Sequence, residues 1–278
     1  MFWIEVIGKM RTVVITGSAR GFGYEMLKLF YKKNYNVVMC DVNSEALEIA
    51  KENLSKEKGN GKILSYVCDI TNEESVKKLI ESTIKEFKTI DIWINNAGVN
   101  QPMKAIWELE TKDIERLIDI DLKGTIICSK NIMKVMINQH CGQIYNVEGY
   151  GSDNATMLGL SIYGTSKRAV TYFTEALAKE TKEAKTNVFV GKITPGIMIT
   201  NFVNTSLGDG EKINLSEKTK NVYNILGDRP ETIAKFMVDK IDKNKKNNVK
   251  FVWLTKRRAC GRFIKAMFGK KNNYFENK

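Results

Sequence analysis

The chain has 278 residues, of which 43% are apolar and 27% charged, values typical of a soluble globular protein with room for one large α/β domain. No apolar run reaches the length of a membrane span, and the N-terminus lacks the apolar segment of a signal peptide, so we expect a cytoplasmic protein. Five cysteines without a C-x-x-C pair and a single histidine, His140, argue against a disulfide framework and against a metal site.

The net charge of +12 is concentrated near the C-terminus. From Lys235 onward there are 14 Lys and Arg against 3 Asp and Glu (+11), which leaves 30 against 29 (+1) for the first 234 residues. Because the body is nearly neutral, the total does not indicate nucleic-acid binding, and we expect no nucleic-acid partner.

The first predicted unit is a strand, a glycine-rich turn, a helix and a second strand. The β-branched run Thr12–Thr16 precedes the turn TGSARGFG, helical spacing continues to about Asn34, and a strand covers Val37–Asp41. Glycine lets the backbone approach a pyrophosphate, and a helix N-terminus offers free N–H groups. Asp41 ends the second strand 24 residues after Gly17, where a carboxylate can accept ribose hydroxyls. This unit predicts a dinucleotide site.

Strands and helices continue to alternate along the chain. Further strands are predicted at 63–68, 90–94, 143–147, 188–193 and 249–254, with helices from about 44 and at 73–87, 111–138 (two helices), 163–183 and 230–242. Asp69 and the segment Asn96–Gly98 each follow a strand, at the edge where open parallel sheets bind ligands. The pattern predicts a single α/β domain: a Rossmann fold with a doubly wound, mostly parallel sheet in three α/β/α layers.

Tyr163 and Lys167 lie four residues apart in YGTSK, at the start of the predicted helix that ends near Glu183. Side chains at i and i+4 share one helix face, so the ammonium is expected beside the phenol. An adjacent cation favours the phenolate and lowers the phenol pKa, which makes tyrosine a usable proton donor and acceptor. By itself the pair is also compatible with an exposed helix face.

Four motifs in this order resemble the short-chain dehydrogenase/reductase family: TGSARGFG, DIWINNAG, YGTSK and ITPG. The resemblance covers about Arg11–Thr200. The stretches DIWINNAGVN, ITPGIMIT and RPETIAK resemble the chlorophyll b reductase branch of that family. This is a likeness of sequence and names no substrate.

The resemblance implies an NAD(P)-dependent alcohol dehydrogenase or carbonyl reductase that forms a homodimer or homotetramer. Tyr163 would exchange a proton with the substrate oxygen, and Lys167 would lower the pKa of Tyr163 and hold the nicotinamide ribose. The other cofactor-binding positions it implies are Gly17, Ser18, Arg20, Gly21, Phe22, Gly23, Asp69, Ile70, Asn96, Ala97, Gly98, Pro195, Gly196, Ile197 and Thr200.

The chain departs from the family pattern at two positions. The serine that usually binds the substrate oxygen is absent at its usual spacing, where Tyr150 or Gly149 stands, depending on the direction of alignment. Ser152 is the nearest hydroxyl and our candidate; Tyr150, or a serine that only shapes the loop, are the alternatives. Asp121 replaces an asparagine that supports a proton-relay water, and it is expected to pair with Lys167. These departures leave open a second hypothesis, a catalytically silent dinucleotide-binding sensor or scaffold.

Two residues bear on the choice of cofactor. Asp41 would accept the adenosine ribose hydroxyls and repel a 2′-phosphate, which favours NAD(H). Arg20 could pair with a 2′-phosphate, which favours NADP(H). We expect the direct repulsion by Asp41 to dominate, and therefore NAD(H) over NADP(H).

The predicted domain covers residues 1–254, with a substrate lobe at about 197–228 whose apolar residues suggest an apolar substrate. Residues 255–278 form a basic amphipathic tail, in which Cys260, Phe263, Ile264, Met267 and Phe268 make one apolar helix stripe. The stripe would pack on the substrate lobe or a neighbouring subunit, or it would lie on an anionic membrane as a peripheral contact.

Overall fold

The structure, a computed structural model, describes residues 10–199, 217–269 and 271–274. In chain order its elements are β1 Thr12–Thr16, α1 Gly21–Lys32, β2 Asn36–Asp41, α2 Ser44–Ser55, β3 Ile63–Val67, α3 Glu73–Phe87, β4 Ile92–Asn95, a 3-10 turn Ile106–Glu108, α4 Thr111–Leu117, a π-helical segment Ile118–Gly124, α5 Thr125–Asn138, β5 Gly142–Val147, α6 Ser161–Glu183, β6 Val188–Thr194, α7 Glu217–Leu226, α8 Pro230–Asp242, β7 Val249–Val252 and α9 Lys256–Met267.

The strands form one seven-stranded sheet in the order β3-β2-β1-β4-β5-β6-β7, and every neighbouring pair is parallel. The chain moves outward from β1 to β3 and then returns to β4 on the other side of β1. Open parallel sheets bind ligands at the carboxyl ends of the strands where this reversal occurs. The predicted doubly wound sheet is confirmed, and the reversal places a crevice between β1 and β4.

Strand β1 shows how the sheet becomes the middle of three layers. Val13 and Ile15 belong to the core cluster that includes residues of α1, α2 and α8, whereas Val14 belongs to the cluster with α3 and α5. Alternate strand side chains point to opposite faces, and both faces are covered, so all five residues of β1 are buried. The predicted α/β/α layering in a single domain is confirmed.

Three local features differ from the sequence expectations. The two helices expected at 111–138 are joined by the π-helical segment, which continues α4 into α5. Trp107, which as a large aromatic residue would be expected in the core, is 84% exposed, because it lies in a 3-10 turn of the surface loop after β4. Within the predicted substrate lobe, residues 217–226 form the helix α7. Residues 200–216 of the lobe lie outside the described part of the chain.

Candidate active site

The turn between β1 and α1 comes very close to the chain that leaves β4. Gly17 has a φ of +62°, and a Cβ there would lie 2.7 Å from the Cα of Ala97. A Cβ on Gly23 would lie 2.5 Å from Nδ2 of Asn96. Both positions therefore require glycine, and they bring the glycine loop against the Asn96–Gly98 segment at the topological reversal.

Neutral hydrogen bonds join these two segments. Oγ1 of Thr16 accepts the N–H groups of Asn96 and Ala97, each at 3.0 Å. Nδ2 of Asn96 donates to the carbonyl oxygens of Thr16 and of the residue after it, also at 3.0 Å. Oγ of Ser18 accepts the N–H of Cys40 at 3.0 Å, which ties the loop to β2. The loop is thus held in place before any ligand arrives.

The loop fits the pyrophosphate and ribose of a dinucleotide. Arg20, the N-cap of α1, makes no side-chain cap hydrogen bond, so the first N–H groups of the helix are free for an anion. The carboxylate of Asp41 lies beside the loop, where it accepts the N–H of Ala19 at 3.3 Å and that of Asn43 at 3.1 Å. A glycine cradle, a helix N-terminus and a carboxylate at the end of β2 are therefore together in one crevice.

Several predicted cofactor residues have side chains that make contacts within the protein. The side chain of Ser18 is fully buried and that of Phe22 lies in the core. Asp69 uses its carboxylate to accept the N–H and hydroxyl of Thr71, at 2.9 and 2.8 Å. Ile70 is buried against the π-helical segment, where a Cβ on Gly124 would lie 2.7 Å from its Cδ1.

The segment after β6 lies at the same edge of the sheet. Pro195 is buried, and Gly196 is exposed with a φ of +74°. The carbonyl of Ile197 accepts the N–H of Asp228 at 3.1 Å, which ties this segment to the chain after α7. Thr200, also predicted to bind the cofactor, lies outside the described residues.

Tyr163 and Lys167 are buried together in the first turns of α6. The Nζ of Lys167 lies 5.5 Å from the centre of the Tyr163 ring. The same Nζ lies 2.7 Å from Oδ2 of Asp121, whose side chain is completely buried. The expected pair therefore exists as a triad of phenol, ammonium and carboxylate, and the interpretation of YGTSK as an exposed helix face is wrong.

The triad touches the cofactor crevice through the end of the NNAG motif. Oδ1 of Asp121 accepts the N–H of Val99 at 2.7 Å. A Cβ on Gly98 would lie 3.3 Å from Oδ1 of Asp121 and 3.4 Å from Nζ of Lys167. Catalytic and cofactor residues predicted from separate motifs are therefore contiguous.

The π-helical segment Ile118–Gly124 explains how Asp121 reaches this position. A π turn adds a residue to an α-helix and is frequent at functional sites. Here it joins α4 to α5, and it contains Asp121 in its middle. The hydroxyl of Thr125 donates to the carbonyl of Asp121 at 2.8 Å, so the segment receives a side-chain hydrogen bond as well.

The loop after β5 comes close to the phenol at Gly149. A Cβ on Gly149 would lie only 2.3 Å from the Tyr163 oxygen, so the phenol occupies the space beside this glycine. The buried hydroxyl of Ser152 accepts the N–H of Gly149 at 3.2 Å and donates to the carbonyl of Lys167 at 3.4 Å. The Tyr150 hydroxyl donates to the carbonyl of Thr156 at 2.9 Å. Ser152 thus braces the loop against α6, and its contact with a substrate stays a prediction.

Glu148 is a buried site residue that the sequence analysis did not single out. Its carboxylate accepts the hydroxyls of Thr171 at 2.8 Å and Thr194 at 2.6 Å, and it lies 2.8 Å from Nζ of Lys250. It thereby links β5, β6, β7 and α6 directly beside Gly149. The sequence feature that could have identified Glu148 is a carboxylate directly after the predicted strand 143–147.

Gln101 is the second residue that was missed. Its Oε1 accepts the N–H of Tyr163 at 2.8 Å, so a side chain from the loop after β4 caps the first turn of α6. Its Nε2 is buried, with no hydrogen-bond partner among the described residues. The signal was its position three residues after the NNAG motif.

Burial dominates the electrostatics of the triad. Burial raises the pKa of Tyr163; Lys167 acts to lower it, Asp121 and Tyr223 act to raise it, and the net direction is upward. The expectation that Lys167 brings this pKa down is therefore wrong for the net shift, although Lys167 does act in that direction. Burial acts to lower the pKa of Lys167, but Asp121 and Tyr163 outweigh it and the net shift is upward. Near neutral pH the phenol is protonated and the ammonium is charged.

The part of the chain that the structure describes contains no group of three or more His, Cys, Asp or Glu side chains that could hold a metal ion. Within the same residues, no helix is long and apolar enough to cross a membrane.

Comparisons with known proteins identify the family. The family profile described as short chain dehydrogenase matches residues 11–210. A chloroplastic chlorophyll(ide) b reductase of Oryza sativa subsp. japonica is 33% identical over 232 residues, which is 82% of this chain and 66% of the relative. A probable chloroplastic chlorophyll(ide) b reductase of Arabidopsis thaliana is 32% identical over 247 residues, 83% of this chain and 48% of the relative. The chain thus spans about half to two thirds of the length of these plant relatives.

A solved structure agrees with the sequence matches. The crystal structure of a short chain dehydrogenase from Bacillus anthracis superimposes with a TM-score of 0.74 at 27% identity, over 87% of this chain and 94% of that one. The predicted resemblance, including the likeness to chlorophyll b reductases, is confirmed. The chain belongs to the short-chain dehydrogenase/reductase family by sequence and by fold.

Proposed function

We propose that the protein is an NAD(P)-dependent oxidoreductase that interconverts an alcohol and a carbonyl by hydride transfer, with Tyr163 as general acid and base. The observation that carries the proposal is the contiguity of the buried Tyr163–Lys167 pair with the cofactor crevice at Gly98. A bound nicotinamide dinucleotide supplies or accepts the hydride, whereas the chain supplies position and a proton.

The electrostatics favour the reductive direction. Because its pKa is raised, the Tyr163 phenol holds its proton near neutral pH and can donate it to the oxygen of a carbonyl as the carbon is reduced. The ammonium of Lys167 then stabilises the phenolate that remains, while Asp121 keeps that ammonium charged. One proton and one hydride convert the carbonyl to an alcohol. The plant relatives are named reductases, which supports the same direction.

We propose NAD(H) as the preferred cofactor. Asp41 ends β2 with its carboxylate against the glycine loop, where it would repel a 2′-phosphate, whereas Arg20 is an exposed side chain. Asp41→Ala should therefore relax the preference for NADH, measured as the ratio of kcat/KM with NADH and NADPH. A wild-type protein that prefers NADPH by tenfold or more would overturn this choice.

We propose an apolar substrate bound beside α7. Val222 and Tyr223 lie on this helix. Tyr223 acts to raise the pKa of Tyr163, an effect that depends on proximity between α7 and this phenol. The plant relatives are named for chlorophyll(ide) b, which supports a substrate with large apolar parts. A homodimer or homotetramer is part of the same proposal, on the strength of family membership.

Tyr163→Phe tests the mechanism. Loss of the general acid should lower kcat for carbonyl reduction by about a thousandfold, while NADH affinity, measured by fluorescence titration, changes little. Tyr172→Phe is the matched control, because Tyr172 lies on the same helix with a side chain that is 74% exposed, so removal of its hydroxyl should leave kcat nearly unchanged. Equal turnover by wild type and Tyr163→Phe would refute the role of Tyr163.

A second candidate function is a catalytically silent dinucleotide-binding sensor or scaffold. It is favoured by one observation: the serine of the family pattern is absent, with Tyr150 or Gly149 at its place, and Asp121 replaces the asparagine. Cofactor titration does not separate the two candidates, since both bind. A panel of carbonyl substrates does, because turnover of any of them by wild type, lost in Tyr163→Phe, excludes the silent protein.

A further inference from the structure

Helix α9 turns its apolar side chains away from the rest of the protein. The apolar stripe of α9, defined as Cys260, Phe263, Ile264, Met267 and Phe268, occupies one side of the helix. Its four large members are 45%, 57%, 83% and 78% exposed in chain order, and Cys260 is exposed as well. A helix that packs on its own domain buries such a stripe. The expectation that this stripe lies on the substrate lobe is therefore not met by the described residues.

The opposite side of α9 is polar and is anchored to the body. Arg262 forms an ion pair with Asp228 at 2.6 Å and donates to the carbonyl of Leu226 at 2.8 Å. The guanidinium of Arg258 stacks 3.8 Å from the ring centre of Trp253. These arginine contacts set the rotation of the helix about its axis, and this rotation presents the stripe outward.

The charged residues of α9 are all basic. The helix Lys256–Met267 contains five basic residues and no acidic one. Arg258 and Arg262 are used as anchors, whereas Lys256, Arg257 and Lys265 are exposed. An apolar strip flanked by three exposed cations complements a surface that is both apolar and anionic.

These features discriminate between occupants. A second copy of this helix would bring the same five cations and no acid, so two stripes packed face to face would repel each other. Nucleic acid would meet the cations but would leave four large apolar side chains in water. We propose that α9 docks the protein on an anionic lipid bilayer, with the stripe at the boundary of headgroups and acyl chains and Lys256, Arg257 and Lys265 on lipid phosphates.

Docking through α9 would also place the active site close to the membrane. α9 contacts α7 through Arg262, and the chain beyond it returns to α7, where the N–H groups of Asn272 and Tyr274 donate to Asn224 at 3.0 and 2.8 Å. α7 in turn contains Tyr223, which acts to raise the pKa of Tyr163. The proposed membrane-facing helix α9 thus contacts α7, the helix that we propose borders the substrate.

Vesicle flotation of the full chain tests the proposal. The protein is mixed with vesicles of phosphatidylcholine alone or with phosphatidylserine, and the bound fraction gives a partition coefficient. We expect binding to the anionic vesicles and little to the neutral ones. The triple variant Lys256→Gln, Arg257→Gln, Lys265→Gln should lower the partition coefficient by roughly a hundredfold, and Phe263→Ser, Ile264→Ser, Met267→Ser by a similar or larger factor.

Matched controls distinguish binding through α9 from non-specific electrostatic or hydrophobic adsorption. One control removes the same charge from another exposed segment, with the substitutions Lys243→Gln, Lys245→Gln and Lys246→Gln. The other, Trp107→Ser, removes an exposed aromatic side chain outside α9. Both variants should bind vesicles as the wild type does. Turnover of a water-soluble carbonyl and the thermal midpoint should be unchanged in every α9 variant, which shows that it is folded.

Three outcomes would overturn the proposal. Equal partition into neutral and anionic vesicles would remove the role of the cations. Binding that survives in the folded stripe variant would place the contact elsewhere. A wild-type protein that ignores both vesicles, with a dimer by light scattering that the stripe variant loses, would show that a second copy covers the stripe.

Discussion

The glycine loop and the triad of Tyr163, Lys167 and Asp121 lie at the same edge of one sheet, but different interactions hold them. Around the loop, Thr16, Ser18 and Asn96 form neutral hydrogen bonds of 3.0 Å with backbone groups. Around the tyrosine, charged groups dominate: buried Asp121 lies 2.7 Å from buried Lys167, and buried Glu148 lies 2.8 Å from the exposed residue Lys250.

This difference predicts how the glycine loop (the neutral half of the site) and the triad (the charged half) respond to substitution. A cradle made of glycines and neutral hydrogen bonds depends on backbone shape, so substitutions there act by steric strain and are insensitive to pH. A buried ion pair depends on both partners, because removal of one leaves an uncompensated charge in a low-dielectric site. Substitutions in the catalytic half should therefore change stability and the pH profile together.

The largest expected effect is on the charged half. Asp121→Ala leaves the Lys167 ammonium buried without its carboxylate, and it should lower the free energy of unfolding by about 4 kcal/mol. Urea titration measures the change. Asp119→Ala is the control, because its partner Lys123 is exposed and such a surface pair contributes about 0.5 kcal/mol at most. Similar losses in the two variants would contradict the distinction.

Gly149→Ser adds a hydroxyl at one of the two positions where the family pattern would place its serine, and it should nevertheless lower turnover. The new Cβ would lie 2.3 Å from the Tyr163 oxygen, so the phenol must move, and a displacement of about 1 Å should lower kcat about a hundredfold. Gly164→Ala is the control, since its nearest neighbour would be 3.8 Å away. A gain in kcat from Gly149→Ser would show that the phenol relaxes without cost.

Gly17→Ala tests the neutral half. A side chain at a φ of +62° and 2.7 Å from the Cα of Ala97 should lower the free energy of unfolding by about 2 kcal/mol, and NADH affinity about tenfold. The affinity loss should be the same at every pH. Gly21→Ala has the same φ but open space within 4 Å, so it isolates the backbone strain from the clash. A loss of affinity that varies with pH would contradict the comparison.

The effect of Asp121→Asn on the pH profile is the smallest that we expect and the most specific. It keeps an oxygen for the N–H of Val99 but removes the negative charge, which acts to raise the pKa of Tyr163. With the anion gone the phenolate is less disfavoured, so this pKa falls. The pH at half-maximal kcat/KM for alcohol oxidation, which needs the deprotonated phenol, should fall by about one unit. An unchanged or higher midpoint would refute the electrostatic role of Asp121.

Much of the fold and half of the site could be predicted because their signals are local. The run Thr12–Thr16 is buried on both faces and consists entirely of β-branched residues, and Gly17 and Gly23 stand where only glycine fits. Tyr163 and Lys167 share a helix face by spacing alone. Each of these features is encoded within a few residues of itself.

The features that could not be predicted depend on residues far apart in the chain. Glu148 meets Lys250 across two strands, and Gln101 caps a helix 62 residues later. The net pKa shift of Tyr163 follows from burial, which no motif records.

The sequence by itself determined the doubly wound sheet, the dinucleotide crevice and the pairing of Tyr163 with Lys167, because hydrophobic periodicity and short motifs specify backbone conformation and neighbours within a helix. It also determined that α9 is amphipathic. Only the tertiary structure decided which way the helix faces, because that depends on arginine contacts with Asp228 and Trp253. It likewise decided that the tyrosine is protonated at rest, because desolvation is a property of the whole packed site.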